Sequence, residues 1–367
     1  MTASPILENL LAICEDFEAS DLHITPGISP RFRIRGSLVE KGDIRPFQVK
    51  DVDAIATELG LFTLPTGCAE GTERVRTTLM REGAIDGALT SSSGVRYRFN
   101  VYRSADNHAV AIRRLESEFR SFEELGLPSR LADFCTESSG LVIVSGPTGS
   151  GKTTTLATMP NSINRSKCGH IVTIEDPIEY VHSSDCCIVN QRQVGRDTTS
   201  FYAALVEAMR QDPDVILVGE MRELETVRTA LRAAETGHLV FSTLHAGDCA
   251  GAIERLISIF PAEEQDSARH QLALVLRGVF AQHLLSTPGA SRALAGELLV
   301  NTPAVANLIA TGRSAQIYSA IETGGQSGMR TLDQSLAELI RAGKIDERKA
   351  LALSKHPEIL KGRMALC

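Results

Sequence analysis

The chain has 367 residues, 43% hydrophobic and 23% charged, with a formal net charge of −7 and a pI near 5.8. That length suits about two or three domains with sizeable cores, and the acidic balance argues against a general nucleic-acid binder. No apolar run is long enough to cross a bilayer, and Met1-Thr2-Ala3-Ser4-Pro5 lacks the basic start and apolar stretch of a signal peptide, so a cytoplasmic location is expected.

Residues 4–19 place Ile6, Leu7, Leu10, Leu11, Ile13 and Phe17 at helical spacing. Ala19-Ser20-Asp21-Leu22-His23-Ile24 reads as a strand, and Pro26-Gly27 as a turn. Arg31-Phe32-Arg33-Ile34-Arg35-Gly36 alternates basic and apolar residues, the pattern of a half-exposed strand ending at a glycine. A helix is expected over 51–61, hairpin strands over 84–89 and 95–101 around Ser91-Ser92-Ser93-Gly94, and a further strand at Ala109-Val110-Ala111-Ile112. Together these predict a small α+β domain over 1–118. Residues 119–139 then read as a linker, in which Ser121 and Glu124 have the spacing of a capping box for a short helix.

Leu141-Val142-Ile143-Val144 has the composition of a buried parallel strand. It leads into Gly146-Pro147-Thr148-Gly149-Ser150-Gly151-Lys152-Thr153, which fits the phosphate-loop pattern G-x-x-x-x-G-K-[ST] at every fixed position. A helix is expected to start at Thr154, which counts with the nucleotide-binding residues. Glycines let successive N–H groups turn inward around an anion, and a helix N-terminus adds partial positive charge beneath it. Lys152 is expected at the β- and γ-phosphates of ATP, and the Thr153 hydroxyl on Mg²⁺. Pro160 falls inside that helix and is expected to kink or end it, at a cost of about 3 kcal/mol if the helix continues.

Beyond the loop, strands over 141–145, 170–174, 215–218 and 238–243 alternate with helical segments, which predicts a largely parallel sheet flanked by helices. Val215-Ile216-Leu217-Val218-Gly219-Glu220 delivers a carboxylate at a strand's C-terminal end, where open α/β sheets bind ligands. Glu220 is therefore the candidate general base, with the capping of the next helix as its other reading. Thr173-Ile174-Glu175-Asp176-Pro177-Ile178-Glu179 places three acids after another strand; Glu175 and Glu179 are candidates for Mg²⁺ or its waters, or the stretch is an acidic turn. His245 follows a strand and is a candidate γ-phosphate donor, while His238 before it reads equally as a buried, satisfied histidine. Arg96, Arg98, Arg103, Arg113 and Arg114 read by pattern as a solvated strand face. The eight cysteines form no C-x-x-C pair, so a zinc cage is not expected and packed, reduced thiols are. From about Gly296 the chain reads as helical, with amphipathic segments over 303–310 and 331–342 and a further helix over 346–355.

Taken in order, Ala19-Ser20-Asp21-Leu22-His23, Arg96-Tyr97-Arg98-Phe99-Asn100, the phosphate loop, Thr173 to His182, Val218-Gly219-Glu220-Met221-Arg222, Gly237-His238-Leu239-Val240-Phe241 and Gly324-Gly325 with Met329-Arg330-Thr331-Leu332-Asp333 resemble the type II/type IV secretion ATPases, nearest their type IV pilus retraction branch. The resemblance spans nearly the whole chain. It implies an α/β fold with a PAS-like first domain (1–118), a RecA-like P-loop NTPase core (140–295), a C-terminal helical subdomain (296–367) and a homo-hexameric ring. It implies that Glu220 is the Walker B glutamate, that Glu175, Asp176 and Glu179 form an acidic box with Glu179 catalytic, and that His238 and His245 form a histidine box. It also implies that Arg96, Arg98 and Arg113 sense the γ-phosphate. Expected partners are an inner-membrane pilus platform protein and a paralogous motor ATPase, with no nucleic acid. The retraction branch carries the motif A-I-R-N-L-I-R-E; here Ala304-Val305-Ala306-Asn307-Leu308-Ile309-Ala310-Thr311 stands in its place, without the two arginines and the acid.

Overall fold

A computed structural model describes residues 3–34, 36–64, 70–115, 118–288 and 291–365. Arg35 of the expected strand, and Cys68 and Cys367, lie outside the described residues. The chain divides into two compact units: Met1–Glu118 with Asp176–Val181 and Arg192–Ser200, and Phe119–Glu175 with His182–Gln191 and Phe201–Cys367.

The first unit contains, in order, α1 (Pro5–Asp16), β1 (Asp21–Ile24), β2 (Arg31–Ile34), β3 (Ser37–Glu40), α2 (Val49–Leu61), α3 (Gly71–Glu82), β4 (Ala84–Thr90), β5 (Arg96–Ser104) and β6 (Asn107–Arg114). The strands form one six-stranded antiparallel sheet in the order β3-β2-β1-β6-β5-β4. Alternation decides its register: Tyr97, Phe99 and Val101 of β5 are buried, while Arg98 and Asn100 between them stay partly exposed. Leu7, Leu10 and Leu11 of α1 and Val52, Ile55 and Leu59 of α2 complete that core. β3 and α3 had no clear signature, since α3 (GTERVRTTLMRE) buries only Gly71, Val75 and Leu79.

The second unit contains α4 (Ser129–Phe134), β7 (Gly140–Ser145), α5 (Lys152–Ser166), β8 (His170–Glu175), β9 (Ile188–Gln193), α6 (Phe201–Ala208), β10 (Val215–Val218), α7 (Leu224–Glu235), β11 (Leu239–Leu244), α8 (Cys249–Ser258), α9 (Gln265–Val275), β12 (Leu276–Ser286), β13 (Arg292–Val300), α10 (Pro303–Ala310), α11 (Ile317–Thr323), α12 (Leu332–Arg341), α13 (Glu347–Leu353) and α14 (Pro357–Ala365), counting β9 whole. Its seven-stranded sheet runs β13-β12-β7-β11-β10-β8-β9. β12, β7, β11, β10 and β8 are mutually parallel, and β13 returns antiparallel to β12. β7, β10 and β11 are buried at every residue, as strands covered on both faces must be. Helical structure resumes at Pro303, because Gly296 lies inside β13, where its missing side chain admits Phe280. Among the described residues no helix is long and apolar enough to cross a membrane.

Two local expectations are corrected. α5 does not end at Pro160 but runs on to Ser166. Proline removes one backbone donor, yet Leu156, Ala157, Met159, Pro160 and Ile163 are all buried, and packing of that face outweighs the lost bond. Ser121 and Glu124 do exchange capping-box bonds, with Ser121 N–H donating to Glu124 Oε2 (2.7 Å) and Glu124 N–H to Ser121 Oγ (3.2 Å). They close a turn rather than a helix, because Gly126 turns left-handed (φ 67°) and Pro128 follows. Of the cysteines, Cys14, Cys135, Cys187 and Cys249 are buried free thiols as expected, whereas Cys168 and Cys186 are exposed.

Two stability predictions follow from this packing. A Cβ at Gly278 would fall 2.3 Å from Phe134 Cζ and 2.8 Å from the Leu299 carbonyl oxygen. Gly278→Ala should therefore cost about 1–3 kcal/mol in denaturant unfolding; a wild-type midpoint would contradict the close approach. The His182 imidazole is 8% exposed, stacks at 4.6 Å on Phe119, and keeps Nδ1 buried without a hydrogen-bond partner among the described residues. Burial pushes its pKa down from 6.5 to about 4. The unfolded chain thus binds a proton below pH 6.5 that the folded chain refuses until about pH 4, so stability falls as pH drops through that window. His182→Gln should flatten the fall in melting temperature between pH 7 and 5; equal slopes in both proteins would contradict it.

Candidate functional site

Strand register brings the phosphate loop, Glu175, Glu220 and His245 to one edge of the second unit's sheet. Ser145 of β7 pairs with Leu244 of β11, and Val218 of β10 pairs with both Ser242 of β11 and Ile174 of β8. The residues that follow, namely the loop from Gly146, His245, Glu220 and Glu175, therefore leave the sheet at its C-terminal edge, where parallel sheets bind ligands. The turn after β11 is stapled to β7: Ser145 Oγ accepts the Ala246 N–H (3.1 Å) and donates to the Ala246 carbonyl (2.8 Å). Thr243 Oγ1 likewise donates to the Gly219 carbonyl at 2.5 Å, fixing the turn that carries Glu220.

The loop from Gly146 to Gly151 adopts backbone that only glycine enters readily, with φ of 149°, 79° and 87° at Gly146, Gly149 and Gly151. A Cβ at Gly146 would lie 2.4 Å from the Gln282 carbonyl and 2.5 Å from Ser150 Oγ, so no other residue fits there. Pro147, Thr148 and Gly149 are exposed at the rim, and Thr153 is exposed at the first turn of α5 with Thr154 half-buried beside it. Lys152 is buried and curls back, donating from Nζ to the carbonyls of Gly146 (2.9 Å) and Pro147 (3.0 Å). Burial lowers its pKa, and the Glu220 charge opposes that shift, which places the cation and the carboxylate in one field. Ser150 Oγ is buried without a hydrogen-bond partner among the described residues. A backbone cradle with a spare buried donor and a lysine held at its mouth suits a polyphosphate.

Around this cradle, Glu220 pairs with Arg222 at 2.8 Å. Arg255 Nη1 donates to the His245 carbonyl at 2.9 Å. The His245 pKa is held below its ordinary value by burial first, then by Lys152, Arg222 and Arg255, so the ring is neutral at pH 7. Glu175 Oε1 accepts from Thr173 Oγ1 (2.7 Å) and Gln191 Nε2 (3.0 Å). Mg²⁺ usually takes only one or two protein oxygens beside water and phosphate. The exposed Thr153 hydroxyl and a carboxylate at this edge fit that habit, and among the described residues no cluster of three or more His, Cys, Asp or Glu could hold a metal by itself.

Not every expected residue joins the cradle. His238 precedes β11, and its carbonyl accepts the N–H of Gly140 at the start of β7. Six strand residues separate it from His245, which is about 20 Å along the sheet. Its Nδ1 lies 3.0 Å from the Ala233 carbonyl, so the ring has a partner at the edge of the sheet opposite the phosphate loop. Arg96, Arg98, Arg113 and Glu179 gather within the first unit, to which the acidic segment Asp176–Val181 belongs. Arg96 Nε donates to the Ile178 carbonyl at 2.9 Å, and Arg98 lies between Asp86 (3.8 Å) and Glu179 (3.7 Å). Arg113 Nε is paired with Asp21 at 2.7 Å. Pattern reading missed Ser145, Arg222, Arg255 and Gln282. Arg222 stands in the block 218–222 without a role of its own, and Gln282 is the single amide in the largely apolar strand Leu276–Ser286.

The sequence profile described as type II/IV secretion system protein matches residues 79–340. A Pseudomonas aeruginosa protein named "Type IV pilus retractation ATPase PilT" is 42% identical over 352 residues, covering 96% of this chain and 99% of that protein. The "Type IV pilus ATPase PilU" of the same organism is 37% identical over 348 residues, covering 94% of this chain and 87% of that protein. A crystal structure titled as the pilus retraction motor PilT with bound ADP superposes with a TM-score of 0.84 at 39% identity, covering 97% of this chain and 99% of the other. The mixed α/β architecture with its parallel sheet is thus that of a P-loop ATPase. The extent of the profile match and the near-full-length identity establish that this chain belongs to the type II/IV secretion system protein family.

Proposed function

We propose that the chain is an ATP-hydrolysing motor that drives type IV pilus retraction, and with it twitching motility. It acts as a homo-hexamer on the cytoplasmic face of the inner membrane, turning a pilus platform protein. The observation that carries this reading is the glycine cradle with Lys152 at its mouth and Glu220 in the same field, in a chain alike over nearly its full length to a retraction motor whose crystal structure holds ADP.

In this reading the loop amides and Lys152 hold the triphosphate, and Glu220 orients the attacking water once it exchanges Arg222 for it. Thr153, with Glu175 at the same edge, would hold Mg²⁺, which would supply charge neutralisation to the bound phosphates. Neutral His245 donates a hydrogen bond near the γ-phosphate. Arg96, Arg98 and Arg113 answer the charge that builds on the transferring phosphate, and Glu179 assists, its carboxylate held ready by Arg98.

A second reading, an accessory motor working beside a paralogue, rests on residues 304–311. That stretch forms α10, and the arginines and acid of the retraction motif are absent from it. Deletion of the gene separates the two: loss of twitching with excess surface pili supports retraction, while normal pilus number with a defect only when the paralogue is weakened supports the accessory role. DNA-independent hydrolysis would set aside a nucleic-acid translocase, as the charge of −7 favours.

Lys152→Ala and Glu220→Gln should each lower Mg²⁺-dependent ATP turnover by about a hundredfold or more. Unchanged turnover in both variants would reject the motor.

A further inference from the structure

Gln282 belongs to β12 and is fully buried, although it is an amide in an apolar strand. β12 runs parallel to β7 with Ala281 opposite Ser145, so Gln282 lies one step past the end of β7, level with the start of the phosphate loop. Its side chain has no solvent to satisfy it and instead makes two bonds. Nε2 donates to the Ser150 carbonyl at 2.6 Å, and Oε1 accepts from Thr155 Oγ1 at 2.8 Å. Its own carbonyl stands where a Cβ of Gly146 would be, at 2.4 Å. One residue therefore contacts the first glycine of the loop, its penultimate carbonyl and the first turn of α5.

The bond to Ser150 has a directional consequence. In a trans peptide the C=O and the next N–H point opposite ways across one plane. Drawing the Ser150 carbonyl toward Gln282 turns the Gly151 N–H away from β12, and the left-handed φ of Gly151 (87°) is the backbone that permits it. We propose that Gln282 is a positioning residue of the phosphate cradle: its amide holds the Ser150–Gly151 peptide in the orientation that presents the Gly151 N–H to a bound phosphate, and it locks the first turn of α5 to the same strand through Thr155. The assignment rests on the nucleotide reading of the cradle and adds to it the residue that pre-sets the loop. Gln282 touches no phosphate itself.

The test uses the full-length protein and a fluorescent ADP analogue, with ATP turnover measured alongside. Gln282→Met keeps the volume and removes both bonds. It should weaken nucleotide binding about tenfold or more and raise KM by a like factor, with a smaller change in kcat. The nucleotide-induced rise in melting temperature should shrink, which a purely structural role would not require. Thr155→Val drops only the helix bond and should bind within about threefold of wild type. If Gln282→Met fails to fold, the double variant Thr155→Val/Gln282→Met removes the stranded hydroxyl as well and carries the same expectation. Wild-type affinity and KM in whichever methionine variant folds would overturn the proposal. Failure of wild-type protein to bind the analogue at all would instead refute the nucleotide reading.

Discussion

The structure turns on a cation held against its own loop. Lys152 is buried and its ammonium donates to the carbonyls of Gly146 and Pro147, while the Glu220 charge offsets part of the effect of burial. A buried charge needs partners, and here they are two backbone oxygens that a phosphate group can replace at little rearrangement. That arrangement requires Gly146 to lie against the Gln282 carbonyl, which requires β12 beside β7. It also requires the turns after β10 and β11 to be stapled by Thr243 and Ser145, so that Glu220 and His245 emerge at the same edge. The parallel sheet is in this sense a frame that fixes four strand ends.

The acidic segment teaches a different lesson. Glu175 and Glu179 are four residues apart, yet Glu175 ends a strand of the second unit while Glu179 packs in the first, beside Arg98. Arg96 holds the backbone of that segment at Ile178. The arginines that pattern alone assigned to a solvated strand face thus have specific partners: a carbonyl, two carboxylates and, for Arg113, Asp21. Motif spacing places such residues near one another in the chain; packing decides with which unit each one travels.

Much of the fold was legible because its strands are extreme cases. β7 and β10 carry the apolar runs Leu141-Val142-Ile143-Val144 and Val215–Val218, β11 opens on Leu239-Val240-Phe241, and β5 alternates after a serine-glycine turn that pairs it with β4. α3 was not legible because a helix that buries one narrow stripe of a polar sequence leaves too few apolar positions to count. Pro160 does not end α5, because propensity describes an isolated helix and α5 is held by its buried face. Ser121 and Glu124 made their predicted bonds without making a helix, since Gly126 and Pro128 end the turn. In the site, the backbone shape of the loop was legible, because glycines at fixed spacing encode it directly. The strand separates His238 and His245 to its two ends, a distance that the shared residue type does not reveal in sequence. Gln282 was missed because its partners lie 127 and 132 residues away.

The most direct test is a crystal structure of the full chain with Mg²⁺ and a non-hydrolysable ATP analogue. Lys152 Nζ should leave the carbonyls of Gly146 and Pro147 for phosphate oxygens, with the Gly151 N–H donating to the same triphosphate and Glu220 facing the γ-phosphate. A loop that holds no phosphate while Lys152 keeps its two carbonyls, at analogue concentrations that saturate hydrolysis inhibition, would contradict the account.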